Sequence, residues 1–272
     1  MSRDLTLGIL QFSASRNKDI NIEKIMRFLK INSADLVVIP EYSMANITGL
    51  PPSEVYKIAE DIDSNYVSKL SKVAIENSTY MVLTLFEKTN KPPKVYNTAI
   101  LISPNGDVIG TYRKMHLFDA YGYRESDYME AGLEPSPIID IGKAKIALSI
   151  CFDIRFPELY RIYALNGAEL IAIPSAWYKG PLKEETLSFL ARSRAHENTV
   201  YIAIANQYSQ DFTGRSMIID PLGTIILDLG IGEKYIEYTI DIDYIYEVRK
   251  TLPVLKLRKP HTYNKYLCQI KS

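Results

Sequence analysis

The sequence predicts an α/β fold built on mixed β-sheets, and three observations predict it. Short continuous apolar runs alternate with helix-period segments along the 272 residues, the pattern of strands buried on both faces with helices packed outside. Two connections, Ser103-Pro104-Asn105-Gly106 and Asp220-Pro221-Leu222-Gly223, carry tight-turn chemistry that makes the strands they join antiparallel. The candidate strands are also more numerous than one minimal doubly wound sheet uses.

The first strand is read over Leu5 to Phe12 and the second over Leu36 to Pro40, with a helix from Ile20 to Ile31 between them. A helix from Ser64 to Glu76 precedes a strand from Tyr80 to Phe86. The Asn105-Gly106 turn then joins strands Thr98 to Ser103 and Val108 to Arg113. After the irregular Asp119 to Pro137 segment come strand Lys145 to Ile150 and helix Pro157 to Leu165, which Gly167 stops. Strand Leu170 to Pro174 leads to helix Glu184 to Asn198, where Leu187, Leu190, Ala191 and Arg194 share one face. Strand Tyr201 to Asn206, the hairpin Ser216 to Asp220 with Thr224 to Asp228, and strand Tyr235 to Ile240 complete the pattern. Each half reads strand, helix, strand, hairpin, a likeness too loose to name a repeat. No low-complexity or Gly/Ser linker divides the chain, so a single domain over 1–272 is expected. Residues 246–272 form a C-terminal extension of it.

Composition narrows the function classes. Lys plus Arg and Asp plus Glu are both 32, so no large field of one sign draws nucleic acid or anionic lipid to the surface. Cys151 and Cys268 form no CxxC pair, which supports neither a disulfide framework nor a zinc ribbon. The N-terminus shows no secretory h-region and no apolar run reaches the length of a membrane span. The expected location is the cytoplasm. Three histidines without HxH or HExxH spacing predict no metal, and the absence of GxGxxG and GxxxxGK[ST] predicts no nucleotide cofactor.

Three reactive side chains stand at predicted strand ends. Cys151 follows Lys145 to Ile150 and precedes a helix approach, where nearby amides lower a thiol pKa toward neutrality. Glu41 closes the apolar run Ala34 to Pro40, and Lys114 follows Val108 to Arg113. Singly, each has a plainer reading: a core cysteine, a solvated acid, a lysine laid on apolar surface. Together they sit where α/β sheets gather their ligand sites. Tyr42 and Trp177 read as pocket walls or core packing, Asp153 and Arg155 as charges that pair with each other or with neighbours to brace the turn rather than touch substrate, and Glu197 and Asn198 as structural. A cysteine–histidine site using His116 is the competing mechanism.

Five segments, in this order, resemble the nitrilase superfamily of carbon-nitrogen hydrolases, omega-amidase-like branch. They are Pro40-Glu41, Tyr112 to Phe118, Cys151 to Glu158, Arg192 to Asn198, and Arg249 to Tyr263 with Pro253, Arg258 and Pro260. The resemblance implies a four-layer αββα sandwich and a catalytic set carried over as Glu41, Lys114 and Cys151. It also implies a second glutamate from Tyr123 to Asp127, assigned to Glu125 over its neighbours Glu130 and Glu134, and a homodimer or larger homo-oligomer formed through the cysteine-bearing side. In that chemistry Glu41 is the base, Cys151 the nucleophile, and Lys114 with the Phe152 backbone N–H the oxyanion partners. The expected substrate is a small amide. A nitrile or an N-carbamoyl amide is the nearest alternative, and a catalytically silent binding scaffold the different class.

Overall fold

The computed structural model describes residues 3–267, so Cys268 and the end of the C-terminal extension lie outside the described residues. The first half runs β1 (Asp4–Gln11), α1 (Lys18–Phe28), β2 (Leu36–Val38), α2 (Pro52–Ile58), α3 (Asn65–Asn77), β3 (Tyr80–Lys88), β4 (Val95–Ile102) and β5 (Val108–Arg113). Two-residue strands β6 (Asp119–Ala120), β7 (Tyr123–Arg124) and β8 (Ile139–Asp140) follow. Next come β9 (Lys145–Leu148), α4 (Pro157–Leu165), β10 (Leu170–Ser175), α5 (Lys183–Asn198) and β11 (Tyr201–Asn206). The chain continues through β12 (Met217–Ile219), β13 (Ile225–Asp228), β14 (Lys234–Asp241), α6 (Tyr244–Thr251) and α7 (Pro260–Leu267).

Alternation along β1 fixes how the layers stack. Leu5, Leu7 and Ile9 point one way and join Leu36, Val38 and Val82 in a buried cluster shared with Ile171, Ile173, Ile202 and Ile204 of the other sheet. Leu10, Val37, Met81 and Leu83 point the opposite way, onto Ile22 and Ile25 of α1 and Leu70 and Val73 of α3. On the far side, Leu159 and Tyr163 of α4 and Leu187 and Ala191 of α5 cover the second sheet. The order is therefore helices, sheet, sheet, helices, which is the αββα sandwich.

The sheets run β14-β1-β2-β3-β4-β5 and β13-β12-β11-β10-β9-β8. In each, three central strands are parallel (β1, β2, β3 and β9, β10, β11), joined by helical crossovers, and the next two turn back antiparallel. The loose likeness between the halves is thus one topology used twice.

Local chemistry moved several boundaries. The Asn17 side chain accepts from the backbone N–H of Asp19 and Ile20, so α1 starts at Lys18, and it ends at Phe28 where a 3₁₀ turn follows. Ser64 is the N-cap of α3 rather than its first residue. The irregular segment contains the small β6/β7 hairpin and a 3₁₀ turn over Glu125–Asp127. Helices α2, α6 and α7 are not among the helices read from the sequence. Among the described residues no helix is long and apolar enough to cross a membrane.

Candidate active site

Glu41 lies three residues past Val38, the last residue of β2, in a turn where Tyr42 takes a left-handed φ of 61°. Its backbone carbonyl accepts from Gln207 Nε2 at 2.9 Å. The carboxylate is buried and accepts from Asn97 Nδ2 (2.7 Å), Lys114 Nζ (3.0 Å) and the Ala176 N–H (2.8 Å). β4, β5 and the end of β10 therefore converge on one side chain.

Lys114 follows β5 and is also buried. Its ammonium lies 3.0 Å from Glu41 Oε1 and 2.9 Å from Glu125 Oε2. Burial opposes the charge, but the facing Glu125 and Glu41 outweigh it and hold the lysine well above its usual pKa. Glu125, wholly buried, also accepts from the Phe118 N–H at 2.6 Å. Burial, helped by the charge of Glu41 and opposed by Lys114, pushes its carboxyl up. The backbone is packed closely here, since a Cβ on Gly132 would stand 2.1 Å from the Arg113 carbonyl oxygen beside Lys114.

Cys151 opens a 3₁₀ turn over Cys151–Arg155 and has a φ of 43°. A left-handed non-glycine residue costs about 1–3 kcal/mol and persists only where its surroundings enforce it. The Glu41 carboxylate, Lys114 and the Ala176 N–H are the polar neighbours that act on the thiol. Burial first, then the charge of Glu41, push its pKa well up, against Lys114 and that N–H. This corrects the expectation of a thiol lowered by nearby amides. The resting group is a protonated thiol with a carboxylate beside it.

Glu41, Lys114 and Cys151 line one small cavity with Tyr42, Phe152 and Trp177. Glu125 reaches it through Lys114. Phe118, Tyr178 and Lys183 complete walls that the sequence reading did not pick out, and Asn97 and Gln207 hold Glu41 from outside it. Gln207 directly follows β11, while Asn97 lies inside β4 and Lys183 opens α5.

Asp153 and Arg155 do not pair with each other, and only Asp153 finds neighbours that brace the turn. Asp153 instead accepts from Tyr112, His116 and the Ile150 N–H. Arg155 faces the cavity with Nε and Nη2 buried and without a partner, its guanidinium 4.9 Å from the Trp177 ring. Lys183, at the first turn of α5, also lines the cavity, and burial with repulsion from Arg155 lowers its pKa. His116 turns to Asp153 and is not a cavity residue. Glu130 pairs with Lys91 and Lys94, Glu134 lies in a separate surface groove, and Glu197 pairs with Arg194. The Asn198 side chain donates to the Arg194 carbonyl within α5. Among the described residues no group of three or more His, Cys, Asp or Glu side chains is arranged to hold a metal ion.

Comparison with known proteins agrees with this geometry. The sequence model of the carbon-nitrogen hydrolase family matches residues 6–250. The chain belongs to the carbon-nitrogen hydrolase family. A deaminated glutathione amidase of Escherichia coli O157:H7 is 32% identical over 228 residues, 84% of this chain and 86% of that protein. Omega-amidase NIT2-A of Xenopus laevis is 30% identical over 275 residues, 95% and 96% of the two chains. Nit3 of Saccharomyces cerevisiae, a member of branch 10 of the nitrilase superfamily, superposes with a TM-score of 0.82 at 30% identity, covering 95% of this chain and 96% of that one. The carbon-nitrogen hydrolase of Helicobacter pylori G27 superposes with a TM-score of 0.90 over 98% of this chain and all of that one, and at 24% identity it speaks to the fold. This carbon-nitrogen hydrolase is therefore an enzyme of the nitrilase superfamily, with buried Glu41, Lys114 and Cys151 in one cavity.

Proposed function

We propose that this hydrolase cleaves the carbon-nitrogen bond of a small carboxamide through a Cys151 thioester. The observation that carries the reading is that one cavity holds the Cys151 thiol, the Glu41 carboxylate and the Lys114 ammonium, the last two 3.0 Å apart. Sulfur adds to the amide carbon as its proton passes to Glu41. Lys114 and the Phe152 N–H stabilise the oxyanion. The C–N bond breaks as the nitrogen takes the proton from Glu41 and leaves as ammonia. Water then gives a proton to Glu41 and adds to the thioester, and the C–S bond breaks to release the acid, with the sulfur recovering that proton. Glu125 holds the Lys114 charge in place throughout. Tyr42 and Trp177 shape the walls. The relatives named as amidases support an amide over a nitrile, and ammonia release without an amide intermediate from a matched nitrile would reverse that choice.

Arg155 narrows the substrate. A guanidinium with buried, unpartnered nitrogens facing a cavity, and Lys183 beside it, call for an anion. The substrate is accordingly an amide whose far end bears a carboxylate. Arg155→Ala is expected to raise KM for such an amide by about 10- to 100-fold and to leave a neutral amide of equal length nearly unchanged. Equal losses on both would remove the carboxylate from the assignment.

The assembly is proposed as a homodimer or larger homo-oligomer. Pro260 to Tyr266 of α7 is exposed along its length, and a helix this short is not stable unsupported in water. Ile162 and Leu165 of α4 and Phe189 of α5 are exposed on the outer layer of the cysteine-bearing sheet. Phe189→Asp in the full chain is expected to shift the mass measured by light scattering from oligomer to monomer. A wild-type monomer at micromolar concentration would reject the assembly. A cytoplasmic location fits a nucleophilic thiol that must stay reduced.

A further inference from the structure

Asp153 is fully buried, and among the described residues no lysine or arginine pairs with it. Such a carboxylate is retained only if its oxygens are filled with donors. Oδ2 accepts from Tyr112 Oη (2.8 Å) and the Ile150 N–H (3.0 Å). Oδ1 faces His116 twice, at the backbone N–H (3.1 Å) and at Nδ1 (2.8 Å). All of these donors belong to two short segments. Tyr112 and His116 stand two residues before and after Lys114, and Ile150 immediately precedes Cys151.

Further bonds close the same joint. Tyr112 Oη accepts from the Met115 N–H at 3.2 Å, tightening the ribbon around Lys114. The His116 ring stacks flat on Phe156, centroids 3.7 Å apart, at the far end of the turn that Cys151 opens. The left-handed Cys151 is thus held on its N-terminal side by a bond from Ile150 to the same carboxylate that grips the lysine ribbon.

We propose that Asp153 is a positioning residue: it ties the strand end carrying Lys114 to the turn carrying Cys151 and so sets the gap in which the ammonium meets the oxyanion. It touches neither substrate nor reacting atoms. The proposal rests on the thioester reading above. An asparagine is nearly isosteric but offers one acceptor oxygen where two are used, so half the joint opens while the cavity walls remain.

The test is steady-state kinetics on Asp153→Asn, Tyr112→Phe and the double variant, with melting temperature measured for each. Asp153→Asn is expected to lower kcat by about 10²-fold, the scale of a misplaced catalytic group, with KM within about threefold. Tyr112→Phe is expected to lower kcat about fivefold, and the double variant to be no slower than Asp153→Asn, because the tyrosine acts through the carboxylate. The melting temperature of Tyr112→Phe should stay close to that of the wild type. Losses that multiply in the double variant, or an Asp153→Asn kcat within twofold of the wild type, overturn the proposal. Should Asp153→Asn not fold, Tyr112→Phe decides alone, and an unchanged kcat overturns it. Turnover surviving in Cys151→Ala would instead defeat the thioester reading, a separate outcome.

Discussion

Cys151→Ala will stop ammonia release, lowering kcat by more than about 10⁴-fold, as removal of a nucleophile does when the rest of a site acts through it. Folding should survive. Alanine meets the φ of 43° no worse than cysteine, and the change removes one buried atom from a cavity wall rather than from the centre of the core. The melting temperature and far-UV circular dichroism of the variant are the controls. The wild-type thiol has its own pH signature. Its folded pKa is raised, so the proton stays on sulfur at neutral pH and no thiolate accumulates as pH passes about 8.5, where a free cysteine ionises. Labelling of Cys151 by iodoacetamide should therefore show no step near that pH. A labelling rate that climbs with a midpoint of about 8.5 would mean an ordinary, solvated thiol rather than one buried beside a carboxylate.

What the sequence disclosed and what it hid divide along a physical line. The central strands are short and apolar on both faces because both sides are covered there, so β1 and β11 could be read within about a residue of their ends, while the Asn105-Gly106 turn placed β5. The reactive residues were legible because each interrupts or terminates such a run: Cys151 after β9, Glu41 after β2, Lys114 after β5. The partners that hold them were not. Asn97 lies inside β4, where a polar residue in an apolar run reads as a face change, and Ala176 contributes only its N–H, which no side chain betrays. The direction of the thiol shift was misjudged for the same reason. Sequence shows a strand-to-helix turn with amides nearby, while the depth of burial and the adjacent carboxylate are products of chain segments far apart in number. Of the two charges read as bracing the turn by pairing with each other or with neighbours, Asp153 does so through its neighbours and Arg155 does not. In the 3₁₀ turn they diverge, one toward Tyr112 and His116 and the other into the cavity.

Glu41→Gln should cost about 10²- to 10⁴-fold in kcat, the range that general-base catalysis supplies, with little change in KM. The substitution separates base from frame. A glutamine oxygen still accepts from Asn97 and Lys114, but its amide nitrogen, turned toward the Ala176 N–H and the thiol, cannot take a proton. Lys114 should remain an ammonium, because Glu125 is the larger of the two carboxylate influences on it and is untouched. The oxyanion partner thus survives while proton transfer fails. With an activated ester, whose leaving group departs without a proton, the thiol proton can pass slowly to hydroxide in solution, but the returning water still lacks its base. Intact mass measurement on Glu41→Gln with such an ester should then find the acyl group held on Cys151, whereas the wild type clears it. If the variant hydrolyses the amide at near wild-type rate, the proton must leave sulfur by another route. Lys114 could supply none, being already fully protonated and flanked by Glu125, so the contact between Glu41 and the thiol would have to be read as structural.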